Sequence, residues 1–482
     1  MNKYKSATKW SVFTEIAVKI ISPITNMILA RVLTPEAFGV IATVTMLVSF
    51  TDIFTDAGFQ KYIDAEHQFR DENDEDLSIC VAFWTNMMIS IGLWGMIFLF
   101  NEQLSVILGN PGLGRAIYMG ALILPLTSFS SIQTAIYRKS FNYKGISCVR
   151  IAVKLVPLIV TVPLAFLGLS YWALIIGNIA GELCNAVLLT SMSKWKPKFR
   201  YSFDKLKTMF RFCGWTLLGT ISSWLVTNVG IFVIGRLFNE YYLGIYKTGT
   251  TMVAQITSLI SGATISVLFS ALSRLQNDEY EFKNMYFKFL KGVGLLVVPL
   301  GIGILLYKDV VRNILLGSQW GEADLLVGLW GLILAESVIF NDMSGAIVLS
   351  KGYPKLLFIA NMIQAVCMVP ALYISAQYGF QALVVVSCIV RIQLPVTQTI
   401  MAKKCPESKQ QRLYTRSDII FLHLLGMAIA TLFMIQIAGS GILKYFSIFI
   451  CIGIYFGILF FIPSTRKELN TYLITMRKKI KK

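Results

Sequence analysis

The chain has 482 residues, of which 55% are hydrophobic and only 15% charged, whereas a soluble chain carries about 25% charge. A net charge of +18 excludes little by itself, but no RNA- or DNA-binding motif accompanies it, so no nucleic-acid partner is expected. The basic residues sit in short loops beside apolar blocks, where they act as topology signals. Barrel strands would give short alternating segments, which are absent, so the class is helical membrane protein.

In chain order, apolar spans are predicted at roughly 8–31, 37–60, 77–100, 116–135, 146–167, 171–191, 209–235, 241–271, 286–307, 323–349, 355–376, 379–401, 416–438 and 441–462, each about as long as a bilayer-crossing helix. The first contains Glu15 and Lys19 and lacks a small-residue cleavage site, so it reads as a retained helix and not a signal peptide. Tight turns are expected at Gly168-Leu169-Ser170 and Gln377-Tyr378-Gly379. The segment Asp71-Glu72-Asn73-Asp74-Glu75-Asp76 reads as an acidic loop. With an even number of spans both ends share a side. That side collects Lys194 to Lys207, Lys403 to Arg412 and the tail Arg466 to Lys482, so both termini are expected to be cytoplasmic.

A gapless overlay of the first two spans on the seventh and eighth pairs Trp10 with Trp215, Arg31 with Arg236, Gly39 with Gly244, Thr43 with Thr248, Thr45 with Thr250 and Val48 with Val253. The expected fold is therefore an all-α polytopic membrane protein of about fourteen transmembrane helices, arranged as two parallel pseudo-symmetric six-helix bundles plus two C-terminal helices. The division would be 1–191 for the first bundle, 192–208 for a basic linker, 209–402 for the second bundle and 403–482 for the added helices and basic tail.

Ionisable residues inside spans are costly, at about 2.5–3.5 kcal/mol each on insertion scales, and face cavities or partners. Here they are Glu15, Lys19, Asp52, Asp56, Arg150, Lys154, Glu182, Lys247, Glu336, Asp342 and Arg391. Several belong to polar stripes at helical spacing: Thr45, Ser49, Asp52, Asp56; Ser147, Arg150, Lys154, Thr161; Thr216, Thr220, Ser223, Thr227; Lys247, Thr251, Gln255, Ser258; and Ser387, Arg391, Gln398. The cations Lys19, Arg150, Lys154, Lys247 and Arg391 form a ladder suited to an anionic headgroup. Glu15, Asp52, Asp56, Glu182 and Glu336 are coupling or pairing acids, and Glu15 with Lys19 is also an i,i+4 pair. Eight scattered cysteines and two histidines give no metal-ligand spacing. No Walker A, HExxH or GxSxG sequence is present, so neither catalysis nor a cofactor is expected.

The run Leu29-Ala30-Arg31-Val32-Leu33-Thr34-Pro35-Glu36-Ala37-Phe38-Gly39, followed by Asp56-Ala57-Gly58-Phe59, resembles the opening of Wzx-type polysaccharide flippases of the multidrug/oligosaccharidyl-lipid/polysaccharide exporter superfamily. Tyr137-Arg138-Lys139, Leu164 to Gly168 with Tyr171 to Leu174, and Val267 to Gln276 agree, with Ser270 where relatives often carry Pro. The chain looks most like the colanic-acid and teichuronic-acid exporter branch. The resemblance implies a bacterial inner-membrane protein with two facing bundles, moving undecaprenyl-pyrophosphate-linked oligosaccharide within the membrane lipid, alongside the polysaccharide polymerase machinery. A multidrug antiporter of the same superfamily and a membrane enzyme of polymer assembly are the rival readings.

Overall fold

A computed structural model describes residues 2–56, 58–64, 72–139, 143–193, 195–275, 278–350, 353–403, 447, 450–455 and 457. These residues are mostly helical, with no strand among them: α1 (Asn2–Val32), α2 (Pro35–Asp56), α3 (Phe59–Asp64), α4 (Glu72–Leu99), α5 (Asn101–Ile107), α6 (Gly114–Gly120), α7 (Ile123–Lys139), α8 (Tyr143–Val156), α9 (Val162–Phe166), α10 (Tyr171–Met192), α11 (Phe203–Leu237), α12 (Glu240–Arg274), α13 (Glu279–Leu306), α14 (Lys308–Leu315), α15 (Asp324–Ser337), α16 (Met343–Ser350), α17 (Pro354–Ala376), α18 (Phe380–Arg391) and α19 (Gln393–Lys403).

Eleven helices among the described residues are long and apolar enough to cross a membrane. They coincide with eleven of the expected spans. The eighth span falls on α12, a 35-residue helix outside those eleven. The span at 416–438 lies outside the described residues, and the one at 441–462 is described only in part. Met88, Ile159, Phe166, Val366 and Ile389 stand exposed on helix surfaces. That much bare apolar surface belongs against lipid, and the chain is a multi-pass membrane protein.

The chain divides into two compact units, Met1–Met252 with Leu315–Trp320 and Asn361–Ser387, and Val253–Ile314 with Gly321–Ala360 and Cys388–Lys482. In the first, α2 packs against α4, α6, α7, α10 and α11, and α1 against α8. One core of this unit gathers Phe59, Ile63, Phe83, Ile132 and Met209. The expected turns are present, with φ of 82° at Gly168, 50° at Ser170 and 99° at Gly379. In the second unit α13 packs on α15 through small residues: a Cβ on Gly301 would stand 2.4 Å from the Ala335 Cβ. Such glycines let helix backbones approach where lipid supplies no hydrophobic drive.

The acidic segment is not a loop. Helix α4 begins at Glu72, so its acids occupy the helix N-terminus, where the macrodipole favours negative charge. They also hold the basic segment that runs into the first turn of α11. Asp76 accepts from Trp195 Nε1 at 3.1 Å and Lys198 Nζ at 3.0 Å, and Asp74 pairs with Lys205. Trp84 stacks on Phe199 at 4.4 Å and donates to the Lys198 carbonyl at 2.9 Å. Residues 195–201 are therefore docked on α4.

At one end of the first unit the helix starts of α2 and α12 meet through glycine. A Cβ on Gly39 would stand 1.9 Å from the Glu240 carbonyl oxygen, and one on Gly244 would stand 1.8 Å from the Pro35 carbonyl oxygen. In the gapless register that pairs Gly39 with Gly244, Pro35 pairs with Glu240, so the contact is reciprocal. Two positive-φ turns flank it. Gly109 (φ 85°) sits against Gly235 and Arg236, and Gly317 (φ 103°) against Arg31. Next to Gly317, Gln319 Nε2 donates to the Ala30 and Leu33 carbonyls at 2.7 and 2.8 Å. The fully buried Trp320 donates from Nε1 to the Ala30 carbonyl at 2.8 Å and meets Phe38 edge-on. Trp320→Ala removes a large buried ring and one of the two side-chain donors to the Ala30 carbonyl. The expected cost is about 3–5 kcal/mol, read as a lower melting temperature and a loss of monodisperse protein in detergent.

Candidate functional site: a polar cavity system around α2

Thr45, Ser49 and Asp52 recur at three- and four-residue spacing on an unbroken helix, so they share one face of α2. That face borders three cavities. The first, about 310 Å³, lies between α2, α7, α8 and α10 and is lined by Thr45, Ser49, Asp52, Thr127, Lys154, Asn178 and Glu182 among apolar neighbours. The second, about 560 Å³, lies between α2 and α11 and is lined by Ser49, Asp52, Thr220, Ser223, Trp224 and Thr227. The third, about 200 Å³, is enclosed by α2, α4, α7 and α10, with Gln60 of α3. Asp52 borders all three.

Many hydroxyls here donate to their own helix: Thr45 to the Ile41 carbonyl at 2.8 Å, Ser223 to Gly219 at 3.1 Å and Thr227 to Ser223 at 2.9 Å. This back-bonding uses the proton and leaves oxygen lone pairs for the cavity. Trp224 Nε1 donates to Ser49 Oγ at 2.9 Å, which fixes the indole at the α2–α11 seam. Asp52 Oδ1 lies 2.9 Å from the Thr55 hydroxyl and 3.3 Å from that of Thr127. Glu182 Oε2 accepts from Asn185 Nδ2 at 3.3 Å. Lys154 lines the same cavity as Glu182. The lining spreads acceptors and donors over apolar walls, with one ammonium and two carboxylates among its described residues.

Of the residues nominated from sequence, Asp52, Lys154 and Glu182 come together on the first cavity. Thr220, Ser223 and Thr227 of the α11 stripe line the second. Thr216 and Asp56 are helical, but their side chains lie outside the described residues. Arg150 is not on these cavities; its Nη1 pairs with Glu15 Oε1 across α8 and α1 at 3.2 Å. Ser147 turns the same way, donating to the Trp10 carbonyl at 3.3 Å. Lys19 is half-buried on α1, and Lys247 is half-buried on α12 without an ion pair among the described residues. In the second unit Arg391 lies over the Trp330 ring at 4.5 Å, while Glu336 and Asp342 are half-buried, the latter 3.2 Å from Asn341 Nδ2. Thr127, Asn178, Asn185 and Trp224 were not singled out from sequence. The hydroxyl-dense run Thr127-Ser128-Phe129-Ser130-Ser131 is the signal that marks α7 as a cavity wall.

Residues 28–324 match the family described as "Polysaccharide biosynthesis protein". Among curated relatives, the succinoglycan biosynthesis transport protein ExoT of Rhizobium meliloti (strain 1021) is 22% identical over 67% of this chain, which spans 64% of that protein's length. The lipopolysaccharide biosynthesis protein WzxC of Escherichia coli (strain K12) is 20% identical over 77% of this chain and 75% of its own. The teichuronic acid biosynthesis protein TuaB of Bacillus subtilis (strain 168) is 20% identical over 73% and 72%. Among solved structures, the lipid II flippase MurJ in an inward closed conformation superposes with a TM-score of 0.75 at 13% identity, covering 93% of this chain and 98% of that one. An inward-facing multidrug resistance MATE family transporter of the MOP superfamily gives 0.65 at 13% identity, covering 80% and 94%. The fold is that of these transporters, and the family match covers well over half the sequence: the chain belongs to the polysaccharide biosynthesis protein family.

Proposed function

We propose that the chain is a flippase that carries undecaprenyl-pyrophosphate-linked oligosaccharide repeat units from the cytoplasmic to the outer leaflet of the bacterial inner membrane. The observation that carries this reading is the cavity system of α2, whose hydroxyl, amide and indole groups meet Lys154, Asp52 and Glu182 among the described residues, between membrane-spanning helices. Sugar hydroxyls need many neutral hydrogen-bond partners, and a pyrophosphate needs a cation. Relatives named for polysaccharide transport and a MurJ-like fold support the same conclusion.

In this proposal, bundles 1–191 and 209–402 alternate in opening to either face, and the polyprenyl tail stays in lipid. Both termini are cytoplasmic, with 192–208 as the basic cytoplasmic linker and 403–482 as added helices and tail. Lys19, Lys154, Lys247 and Arg391 supply positive charge along the route, Arg150 being paired with Glu15 off the cavities, and the polymerase machinery receives the exported unit. Outward movement of negative charge is favoured by about 2.3 kcal/mol per charge per 100 mV of inside-negative potential, a drive that needs no catalysis by this chain. The multidrug-antiporter reading has one supporting observation, the MATE-like fold. A deletion strain separates the two readings. The flippase reading expects lipid-linked repeat units trapped on the inner leaflet and unchanged drug susceptibility. Units accumulating on the outer leaflet, or drug hypersensitivity with normal polymer, would overturn it.

A further inference from the structure

The segment docked on α4 carries more positive charge than its dock neutralises. It follows the span that ends at Met192 and leads to the one that begins at Leu217. It runs down α4 from Asp76, which accepts from Trp195 Nε1, to Thr85, whose hydroxyl lies 3.0 Å from that of Tyr201. Helix α4 has 28 residues, about 42 Å of length, against a hydrocarbon core of about 30 Å. Its first strongly exposed large apolar residue is Met88, one turn beyond Trp84. The segment therefore lies along the surplus length of a spanning helix, at the height of a bilayer surface. Lys196, Lys198, Phe199, Arg200, Phe203 and Lys207 all stand exposed on it. Phe199 stacks one face on Trp84, yet is 90% exposed; Phe203, one turn of α11 before Lys207, is 78% exposed. Of the five cations from Lys196 to Lys207, Lys205 is matched by Asp74, while Lys198 and Arg200 share Asp76 at 3.0 and 3.6 Å. Glu75 is taken by Lys139. Lys196 Nζ donates at 2.6 Å to the Thr190 carbonyl, which leaves its charge unanswered. Asp74, Asp76 and Asp204 answer three of the five charges, and a surplus of two remains among the described residues.

We propose that this strip binds anionic phospholipid headgroups of the adjoining leaflet. Lys196, Lys198, Arg200 and Lys207 take the phosphates, and Phe199 and Phe203 sit at the boundary between headgroups and acyl chains. Lys198 and Arg200 keep 61% and 53% of their side chains exposed despite sharing Asp76, so both heads reach outward past it. Aromatic rings alone would suit the boundary without choosing a headgroup. Cations alone would suit a soluble acidic partner. Their alternation at bilayer height joins the two signals that hold a surface segment to anionic lipid. The strip continues into α11, which lines the second cavity through Thr220, Ser223 and Trp224. Lipid held at the start of α11 thus bears on the position of a cavity wall.

The test uses the purified full-length protein without a transport substrate, so its outcome is independent of the flippase reading. Native mass spectrometry of delipidated protein titrated with phosphatidylglycerol or phosphatidylcholine reads relative affinity. Hydrogen exchange in nanodiscs of the same two lipids reads location. Phosphatidylglycerol is expected to bind about tenfold more tightly, with a preference that shrinks in high salt, and to slow amide exchange in residues 195–203. Lys196→Gln combined with Lys207→Gln leaves the Asp74 and Asp76 pairs in place. It should lower the preference at least about threefold at an unchanged melting temperature. Lys196→Arg combined with Lys207→Arg should retain the preference. Equal binding of the two lipids overturns the proposal and leaves the strip to an acidic protein. A preference that survives the glutamine pair overturns it too, as does exchange in 195–203 that is the same in both nanodiscs. Displacement of phosphatidylglycerol by water-soluble glycerol phosphate would also overturn it, assigning a soluble phosphate ligand instead.

Discussion

Lys154→Glu is expected to abolish export of the repeat unit, and Lys154→Ala to reduce it at least about tenfold, a change of about 1.4 kcal/mol. The reasoning rests on where the charge goes. Lys154 is the cation that lines the first cavity among its described residues. A hydrogen bond between a charged group and its partner is worth about 1.5–3 kcal/mol, so losing the ammonium alone covers a tenfold effect. A third carboxylate beside Asp52 and Glu182 then adds repulsion to any phosphate. Arg150 is the control. It sits one helical turn away, but Glu15 neutralises it at 3.2 Å, and both side chains are about half exposed. An exposed pair of that kind contributes about 0–1 kcal/mol, so Arg150→Ala should leave export within about threefold. Polymer production in a complemented deletion strain, normalised to protein level, measures all three variants. Equal loss at both positions would show that the cations act through general membrane topology and not through the cavity.

The contrast between these two residues shows what a sequence can and cannot disclose. Thr45, Ser49 and Asp52 were legible because α2 is an uninterrupted α-helix, so a 3.6-residue period keeps them on one face. The α11 stripe was legible for the same reason. The stripe through Ser147, Arg150, Lys154 and Thr161 was read with the same ruler and splits. Ser147 and Arg150 face α1, and only Lys154 reaches the cavity. Beyond it the backbone passes through a π-helical turn, Pro157–Thr161, and the extra residue rotates everything downstream. Thr161 therefore ends up buried against Gly177, where a Cβ would stand 1.7 Å from its hydroxyl. A second π turn at Val338–Asp342 likewise sets the direction of Asp342. Apolar blocks gave away the spans, since lipid punishes every unpaired backbone group. The acidic segment misled because charge density looks loop-like until the basic residues far along the chain that pair with it are known. Nor could one sequence show that α7's hydroxyls face a chamber and not a neighbouring helix, as that depends on which helices surround it.

Gly39→Leu and Gly244→Leu should each be severely destabilising, and the two glycines should behave as one unit. Glycine at a helix interior costs roughly 0.5–1 kcal/mol relative to alanine when nothing else is at stake. Substitution here would go the other way. The Cβ would land 1.9 Å from the Glu240 carbonyl oxygen in one case and 1.8 Å from that of Pro35 in the other. Those are backbone atoms at the first residues of α12 and α2, so relief requires moving a whole helix end. Overpacking a core typically costs about 1–3 kcal/mol and more where nothing can yield; this site belongs at or above the upper end. The milder Gly39→Ala and Gly244→Ala make the sharper measurement. Both push the same two helix starts apart, so once one alanine has opened the contact the second meets space already made. The double variant should therefore lose clearly less melting temperature than the sum of the singles. Independent sites add to within about 0.3–0.5 kcal/mol, and additivity of that quality would mean the two glycines do not share one contact. Export should follow the same pattern, because the register that pairs Gly39 with Gly244 also pairs the residues each one touches.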